Sequence, residues 1–187
     1  QVRRYMGKFE HIESWVFDLD NTLYPAKCNL FEQIDQRMGE YVARMLDLDL
    51  TQARKIQKQY YYDYGTTLNG LMKCHDISPD PYLEYVHEID LSAVKPNPEL
   101  AQILKNIEAP KYVYTNGSVD HAQGVLERLE IEDIFQDIFD IRAANFVPKP
   151  DHEAYQNFLR HTGINPKSTV IFEDLERNLR APHDLGM

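Results

Sequence analysis

Two aspartates one residue apart, Asp18 and Asp20, are the residues of this sequence best placed to do chemistry. They follow a short apolar run, Trp15 to Phe17, which is typical of a buried strand. In open α/β sheets, ligands bind beyond the carboxyl ends of the strands. Two carboxylates at such an edge repel each other, and something must offset that repulsion. The pair therefore indicates a site that holds a cation, a proton or both.

Further polar residues follow three more strand-like runs of the chain. The first run covers residues 14–18, and the others cover residues 111–115, 138–142 and 169–173. Because the carboxyl ends of parallel strands lie along one edge of a sheet, we expect the residues after them to converge there. They are Thr115, Asn116 and Gly117 after the second run, Lys149 beyond the third, and Glu173 and Asp174 after the fourth. A set so rich in oxygen suits Mg²⁺, which prefers carboxylates, water and substrate phosphate.

Helical patterns between these runs predict the elements that position the site. Residues 98–107, 118–130 and 151–162 each carry an apolar stripe at helical spacing. Strands that alternate with such helices indicate an α/β fold, with a mostly parallel sheet covered on both faces.

A long insertion interrupts this alternation. About ninety residues separate the first two strand-like runs, whereas a βα unit needs about thirty. The extra segment has no convincing strand pattern, and its helical patterns cover residues 30–46, 51–64 and 81–91. We expect a core domain of residues 1–24 and 95–187 and an all-helical cap domain of residues 25–94. A cap inserted directly after the aspartate pair would cover the site, exclude water and select substrates.

The composition narrows the class of protein. The chain has 187 residues and a net charge of −10, which suits one core domain with a small insertion. No run of Lys and Arg indicates a nucleic-acid polymer as partner, and no apolar run approaches the roughly 18 residues of a membrane span. Cys28 and Cys74 form no disulfide framework, and residues 1–10 lack the apolar core of an export signal. We therefore expect a cytoplasmic location.

Four motifs, in order along the chain, resemble those of the haloacid dehalogenase-like hydrolase superfamily. They are DxDxT at Asp18, Asp20 and Thr22, a Thr–Asn pair at Thr115 and Asn116, a Lys before Pro at Lys149, and the acidic pair Glu173–Asp174. Each motif alone is weak, but together they span residues 15–174. The resemblance implies a Rossmann-like core with a helical cap after the first strand, and Mg²⁺-dependent hydrolysis of a small phosphomonoester.

The same resemblance implies roles for the two aspartates. Asp18 would attack phosphorus and form an aspartyl-phosphate. Asp20 would protonate the leaving oxygen and then deprotonate the hydrolytic water. The dehalogenase branch lacks an acid at the second position, because a halide leaves without a proton, so Asp20 favours phosphoryl transfer over carbon–halogen cleavage.

The remaining motif residues are assigned to binding by resemblance. The implied Mg²⁺ ligands are Asp18, the backbone carbonyl of Asp20, and Asp174. The implied phosphate ligands are Thr115, the backbone of Asn116, and Lys149. Whether Glu173 binds the metal directly or through water is left open.

The insertion carries a more specific resemblance. Residues 60–72 (YYYDYGTTLNGLM) resemble a segment of the pyrimidine 5′-nucleotidase branch, as does DLDNTLYP at residues 18–25. The resemblance implies that four residues of the cap select the substrate: Tyr64, Thr66, Thr67 and Asn69. Tyr rings offer flat faces to a base, and Thr and Asn side chains offer hydrogen bonds to its edge. Alternatively, the tyrosines pack between cap and core, and the two threonines cap a helix.

Three functions remain open. The favoured one is hydrolysis of a pyrimidine nucleoside 5′-monophosphate. The alternatives are hydrolysis of a sugar phosphate or phosphoglycolate, and a catalytically silent regulator with the same fold. None of the seven histidines falls in a motif, so none is assigned a role. The chain ends at Met187, where the resemblance implies a further strand, so we expect either a truncated chain or a missing edge strand.

Overall fold

A parallel sheet of four strands lies at the centre of the protein. The computed structural model describes residues 9–187; residues 1–8, which include the start of the predicted core domain and most of the stretch judged not to be an export signal, lie outside the described residues. The strands are β1 (Ser14–Phe17), β2 (Lys111–Tyr114), β3 (Asp137–Phe139) and β4 (Thr169–Phe172), and their order is β3-β2-β1-β4. All three pairings are parallel, which confirms the predicted α/β sheet.

The register of the strands aligns their carboxyl ends. Phe17 at the end of β1 lies opposite Val113 of β2 and Phe172 of β4. The two central strands, β1 and β2, are buried along their whole length, as expected for parallel strands covered on both faces. The residues that follow these strands therefore emerge at a common edge.

The third strand is shorter than predicted. Residues 138–142 were expected to be extended, but β3 ends at Phe139. The reason is the carboxylate of Asp140, which accepts hydrogen bonds from the backbone N–H of Ala143 (2.9 Å) and of Val119 (3.0 Å). These bonds satisfy backbone donors in a turn instead of a sheet ladder.

Eight α-helices accompany the sheet in the described residues. They are α1 (Leu30–Leu46), α2 (Leu50–Tyr64), α3 (Thr67–His75), α4 (Pro79–His87), α5 (Pro98–Lys105), α6 (Val119–Leu129), α7 (His152–Thr162) and α8 (Arg180–Leu185). The last four helices alternate with the strands. Helices α5, α6 and α7 match the predicted helical stripes within a few residues, and no stripe was predicted for α8. Ser118 caps α6, because its side chain accepts a hydrogen bond from the N–H of His121.

The first four helices form the segment between β1 and β2, and they supply most of one apolar cluster, to which Ile141 after β3 also belongs. Ile34, Val42, Leu71 and Leu83 are among its buried members. The predicted helices at residues 30–46, 51–64 and 81–91 correspond to α1, α2 and α4. Helix α3 was not predicted as a helix, although the threonine cap that begins it was considered: the Thr66 side chain accepts a hydrogen bond from the N–H of Asn69.

Two further apolar clusters cover the two faces of the sheet. Successive strand residues point to opposite faces. Accordingly Trp15 and Phe17 belong to one cluster, whereas Val16 and Tyr112 belong to the other. The sheet is therefore packed on both faces next to the edge that carries the motif residues. In residues 9–187, no helix is both long and apolar enough to cross a membrane, and location in the cytoplasm stays a prediction.

Candidate active site

An ammonium group joins the first, third and fourth motifs. Lys149 Nζ donates to Asp18 Oδ1 (2.7 Å), to Glu173 Oε1 (2.7 Å) and to the carbonyl of Tyr114 (3.0 Å). Only 2% of the lysine side chain is exposed. The structure therefore brings residues of three motifs together, among them Asp18 and Lys149, which are 131 positions apart, at the sheet edge where the sequence placed them.

Burial and ion pairing shift the pKa values of these charged groups in opposite directions. Burial alone would lower the pKa of Lys149, but Asp18 and Glu173 outweigh it and raise the pKa above its ordinary value. For Glu173, burial would raise the pKa, but Lys149 and two further hydrogen bonds lower it. For Asp18 burial wins over the attraction of Lys149, and its pKa rises to about 6. One ammonium thus leaves a site with two carboxylates short of positive charge.

The second motif holds the lysine in place through its backbone. The Asn116 side chain accepts from the N–H of Lys149 (2.8 Å) and donates to its carbonyl (3.1 Å). Thr115 is 1% exposed, and its hydroxyl accepts from the N–H of Gly117 (2.9 Å). A Cβ at Gly117 would lie 3.2 Å from that hydroxyl, so glycine suits this close turn. The loop after β2 thereby fixes both its own polar groups and Lys149.

The second aspartate has partners that the sequence did not reveal. Asp20 Oδ1 accepts from the hydroxyl of Tyr24 (2.6 Å) and lies 2.8 Å from His121 Nε2. Burial alone would raise the pKa of Asp20, but His121 and Tyr24 outweigh it and lower the pKa below its ordinary value. The ring of His87 stacks on that of His121, with centroids 4.6 Å apart and planes 9° from parallel.

Two of the seven histidines, to which no role was assigned from the sequence, lie beside Asp20. His121 lies three residues after Ser118, on the first turn of the helix that follows β2. A titratable residue on the first turn of a helix that follows a strand could have indicated a site residue in the sequence. No motif of this chain included His121, so it was not selected from the sequence. His87 ends α4, and its Nδ1 lies 2.9 Å from Ser118 Oγ. Burial lowers the pKa of His87 to about 3, so its ring is neutral.

Carboxylates of the first and fourth motifs form a group that could hold a metal ion. One oxygen each from Asp18, Glu173 and Asp174 lie within 4.8 Å of one another. Asp18 and Glu173 are largely buried, whereas Asp174 is exposed to the mouth of the site. Oxygen ligands at this density fit a hard divalent cation such as Mg²⁺.

The two carboxylates of the acidic pair, Glu173 and Asp174, differ in how free they are to bind a cation. Glu173 Oε1 accepts from Lys149 and from the Asn178 side chain (2.7 Å each), and Oε2 accepts from the N–H of Leu175 (2.9 Å). Burial and the charge of Glu173 raise the pKa of Asp174. A cation beside Asp174 would relieve that repulsion, so the chemistry of this donor set fits the metal.

A cavity of about 410 Å³ connects the motif residues with the helical segment. Asp18, Asp20, Thr115, Lys149 and Asp174 line one part of it. The helical segment provides most of the remaining lining, mostly with apolar and aromatic side chains: Phe31, Ile34, Met38, Tyr61, Tyr62, Leu68, Tyr82, Leu83 and Val86. Residues that follow β3 and β4, such as Ile141 and Leu175, also line it. Its size is within the range of small-molecule sites, about 300–1,000 Å³.

Two of the four predicted selectivity residues line this cavity. Thr66 and Thr67 do, although Thr67 is buried and donates to the carbonyl of Gln57 (3.2 Å). Tyr64 and Asn69 instead line a separate cavity beside Pro148. The Asn69 side chain donates to the carbonyl of Tyr64 (2.9 Å), which fixes both residues at the turn between α2 and α3. The rotation of α2 brings other tyrosines, Tyr61 and Tyr62, to the main cavity.

Comparisons with known proteins found relatives that match most of the chain. Phosphate metabolism protein 8 of Saccharomyces cerevisiae is 28% identical over 91% of this chain, which spans only 58% of the length of that relative. Glyceraldehyde 3-phosphate phosphatase of Methanopyrus kandleri is 22% identical over 94% of this chain and 82% of its own length.

Solved structures share the fold. CbbY of Rhodobacter sphaeroides, determined in complex with xylulose-(1,5)bisphosphate, has a TM-score of 0.63 at 17% identity, over 94% of this chain and 84% of its own. The model of one family, haloacid dehalogenase-like hydrolase, matches residues 13–186. Because that match extends over nearly all the described residues, the chain belongs to the haloacid dehalogenase-like hydrolase family.

Proposed function

We propose that this protein is a Mg²⁺-dependent phosphomonoester hydrolase that acts through an aspartyl-phosphate on Asp18. The observation that carries the proposal is the meeting of a buried carboxylate, a buried ammonium and an exposed acidic residue at the mouth of one cavity. Asp18 and Lys149 are in contact at 2.7 Å, and Asp174 lies beside them. A carboxylate that attacks a phosphate anion needs positive charge between the two. Lys149 supplies part of that charge, and the carboxylates beside it would hold a cation that supplies the rest.

The residues divide the reaction between them. Asp18 attacks phosphorus, and the bond from phosphorus to the ester oxygen breaks while Asp20 gives its proton to that oxygen. Water then attacks the phosphorus of the aspartyl-phosphate, Asp20 takes the proton of the water, and phosphate leaves with Asp18 regenerated. Thr22 Oγ1 donates to Asp18 Oδ2 (2.9 Å), which holds the nucleophile. Lys149 and the Thr115–Asn116 turn bind the phosphoryl oxygens.

The metal would be held by Asp18, Asp174 and the backbone carbonyl of Asp20. When bound, Mg²⁺ supplies positive charge against the phosphoryl oxygens and the attacking carboxylate. Glu173 acts through water in this proposal, because its two oxygens already accept three hydrogen bonds, from Lys149, Asn178 and Leu175.

Residues 25–94 act as the cap in this proposal, over a core of residues 1–24 and 95–187. Two contacts support a closed arrangement. Arg142, which follows β3, donates to Asp80 of α4 (2.9 Å). The guanidinium of Arg177 lies 4.4 Å from the centre of the Tyr61 ring of α2. Closure of this kind excludes water from a reactive aspartyl-phosphate.

The proposed substrate is a pyrimidine nucleoside 5′-monophosphate. Its support is the mostly apolar and aromatic lining that the helical segment gives the cavity, which suits the flat faces of a base better than the hydroxyls of a sugar. A sugar phosphate is the second candidate, because one relative is named a glyceraldehyde 3-phosphate phosphatase and one structural neighbour holds a bisphosphate of xylulose.

The test is phosphate release from a panel of monophosphates, with Mg²⁺ and with EDTA. The panel contains UMP, CMP, dTMP, AMP, GMP, phosphoglycolate, glyceraldehyde 3-phosphate and hexose phosphates, and Asp18→Asn is the control. We expect turnover that needs Mg²⁺, is lost in the variant and is fastest with UMP or CMP. Turnover of sugar phosphates alone would contradict the nucleotide proposal and leave the mechanism standing. If the folded protein turns over none of them in Mg²⁺, the proposed activity is wrong and a regulatory role takes its place.

A further inference from the structure

We propose that Tyr24 and His121 are positioning residues that orient the carboxylate of Asp20 for proton transfer. The inference rests on the proposed phosphatase function, because it concerns the acid–base step of that reaction. It assigns a task to His121, which lies outside the motifs, and to Tyr24, which lies in the DLDNTLYP string but received no role there.

Both donors bind the same oxygen of Asp20. Tyr24 Oη lies 2.6 Å and His121 Nε2 lies 2.8 Å from Oδ1. The Asp20 side chain is 20% exposed, whereas only 1% of the His121 side chain is exposed and Tyr24 is buried. The two donors therefore approach Asp20 from the protein interior. Neither of them binds Asp20 Oδ2.

Orientation matters because a carboxylate rotates easily. The terminal torsion of Asp is broad and roughly two-fold, so packing alone does not select one oxygen for the substrate. An acid must lie within hydrogen-bond reach of the leaving oxygen, about 2.6–3.2 Å. Two hydrogen bonds to Oδ1 select one rotation and leave Oδ2 for the leaving group and then for the water.

The positioning residues are themselves held. The ring of His121 stacks on His87 at 4.6 Å, and the hydroxyl of Ser118 lies 2.9 Å from His87 Nδ1. His121 belongs to the core helix α6, whereas His87 ends the cap helix α4. The neutral His87 ring covers the His121 face, which keeps the imidazole edge directed at Asp20.

The test compares two substrates that differ in their need for a proton. The alcohol of an alkyl phosphate must be protonated as it leaves, whereas p-nitrophenol leaves p-nitrophenyl phosphate as a stable anion. The ratio kcat/KM reports the steps up to departure of the alcohol, so it isolates the acid role of Asp20 from its later role as a base. The variants are Tyr24→Phe, which removes only the hydroxyl, and His121→Leu, with His121→Gln as the variant that keeps an N–H donor.

The expected result is a selective loss. In Tyr24→Phe and His121→Leu, kcat/KM for the alkyl phosphate falls on the order of ten-fold or more, as for one hydrogen bond to a charged group, and that for p-nitrophenyl phosphate falls less than about three-fold. His121→Gln recovers part of the loss. Tyr85→Phe and His161→Leu remove comparable bonds, to Glu40 and Asp137, away from the cavity, and both keep the activity of the wild type.

Three outcomes would overturn the inference. Equal losses for both substrates would mean that the two side chains only support the fold, which thermal unfolding of the same variants would show. Unchanged kcat/KM for the alkyl phosphate in both variants would mean that Asp20 needs no orientation. A wild-type protein that hydrolyses neither these two substrates nor any monophosphate of the panel would refute the proposed phosphatase function and this inference with it, and so is distinguishable from the first two.

Discussion

The buried nucleophile should destabilise the metal-free protein, and Asp18→Asn should therefore stabilise it. Burial, opposed by Lys149, raises the pKa of Asp18 from 3.8 to about 6. A pKa difference of one corresponds to about 1.4 kcal/mol, so ionised Asp18 costs the folded state on the order of 3 kcal/mol at neutral pH. Asn has the shape of the protonated acid and carries no charge. The variant should gain about 3 kcal/mol in unfolding free energy and lose all hydrolytic activity.

The gain should depend on pH in a defined direction. The pKa of Asp18 is higher in the folded state than in the unfolded state. Its contribution to the unfolding free energy is therefore fully present only below pH 3.8 and is lost as the pH rises through about 6. The advantage of Asp18→Asn should therefore be about 3 kcal/mol at pH 7.5 and less than about 1 kcal/mol at pH 4.

The assay is urea unfolding of both proteins in EDTA at these two pH values. Asp133→Asn, which changes an exposed carboxylate, is the matched control and should show no such gain. If Asp18→Asn unfolds at a lower urea concentration than the wild type at pH 7.5, or gains equally at both pH values, then burial of charge does not dominate at this position and the reasoning is refuted.

Three further predictions follow from the same geometry. Lys149→Met should abolish phosphate release and lower the unfolding free energy by about 3–5 kcal/mol at pH 7.5, because it leaves two buried carboxylates without their cation. Urea unfolding measures this loss, and a loss of unfolding free energy below about 1 kcal/mol would contradict the prediction. Mg²⁺ should raise the thermal midpoint of the wild type but not of Asp174→Asn, and equal shifts in the two proteins would rule out Asp174 as a ligand. Gly70→Ala should cost about 1–3 kcal/mol, because its Cβ would lie 2.4 Å from Tyr60 Cβ; an unchanged urea midpoint would show that α3 moves away freely.

The residues after the strands were predictable because of the topology of the fold. Once four apolar runs alternate with helical stripes, a parallel sheet follows, and its carboxyl ends share one edge. Asp18, Lys149 and Glu173 were expected there, and the structure joins them through one ammonium. The assignment of their catalytic roles remains a proposal.

Side chains on helices were less predictable. Four tyrosines lie within residues 60–64, and a helix turns about 100° per residue, so only some of them can face a cavity. The sequence favoured Tyr64, whereas the packing of α2 against its neighbours brings Tyr61 and Tyr62 to the cavity. The rotation of a helix about its axis depends on contacts with helices that are distant in sequence, and local periodicity does not specify it.

The sequence by itself determined the α/β class and the edge of the sheet at which the motif residues lie, because apolar periodicity and strand ends are local properties. The family was indicated by the resemblance of the four motifs. Only the tertiary structure decided which groups surround those residues. Tyr24 and His121 meet on one oxygen of Asp20 from positions 4 and 101 residues away. Such a meeting depends on how helix, strand and loop pack together, and no spacing along the chain records it.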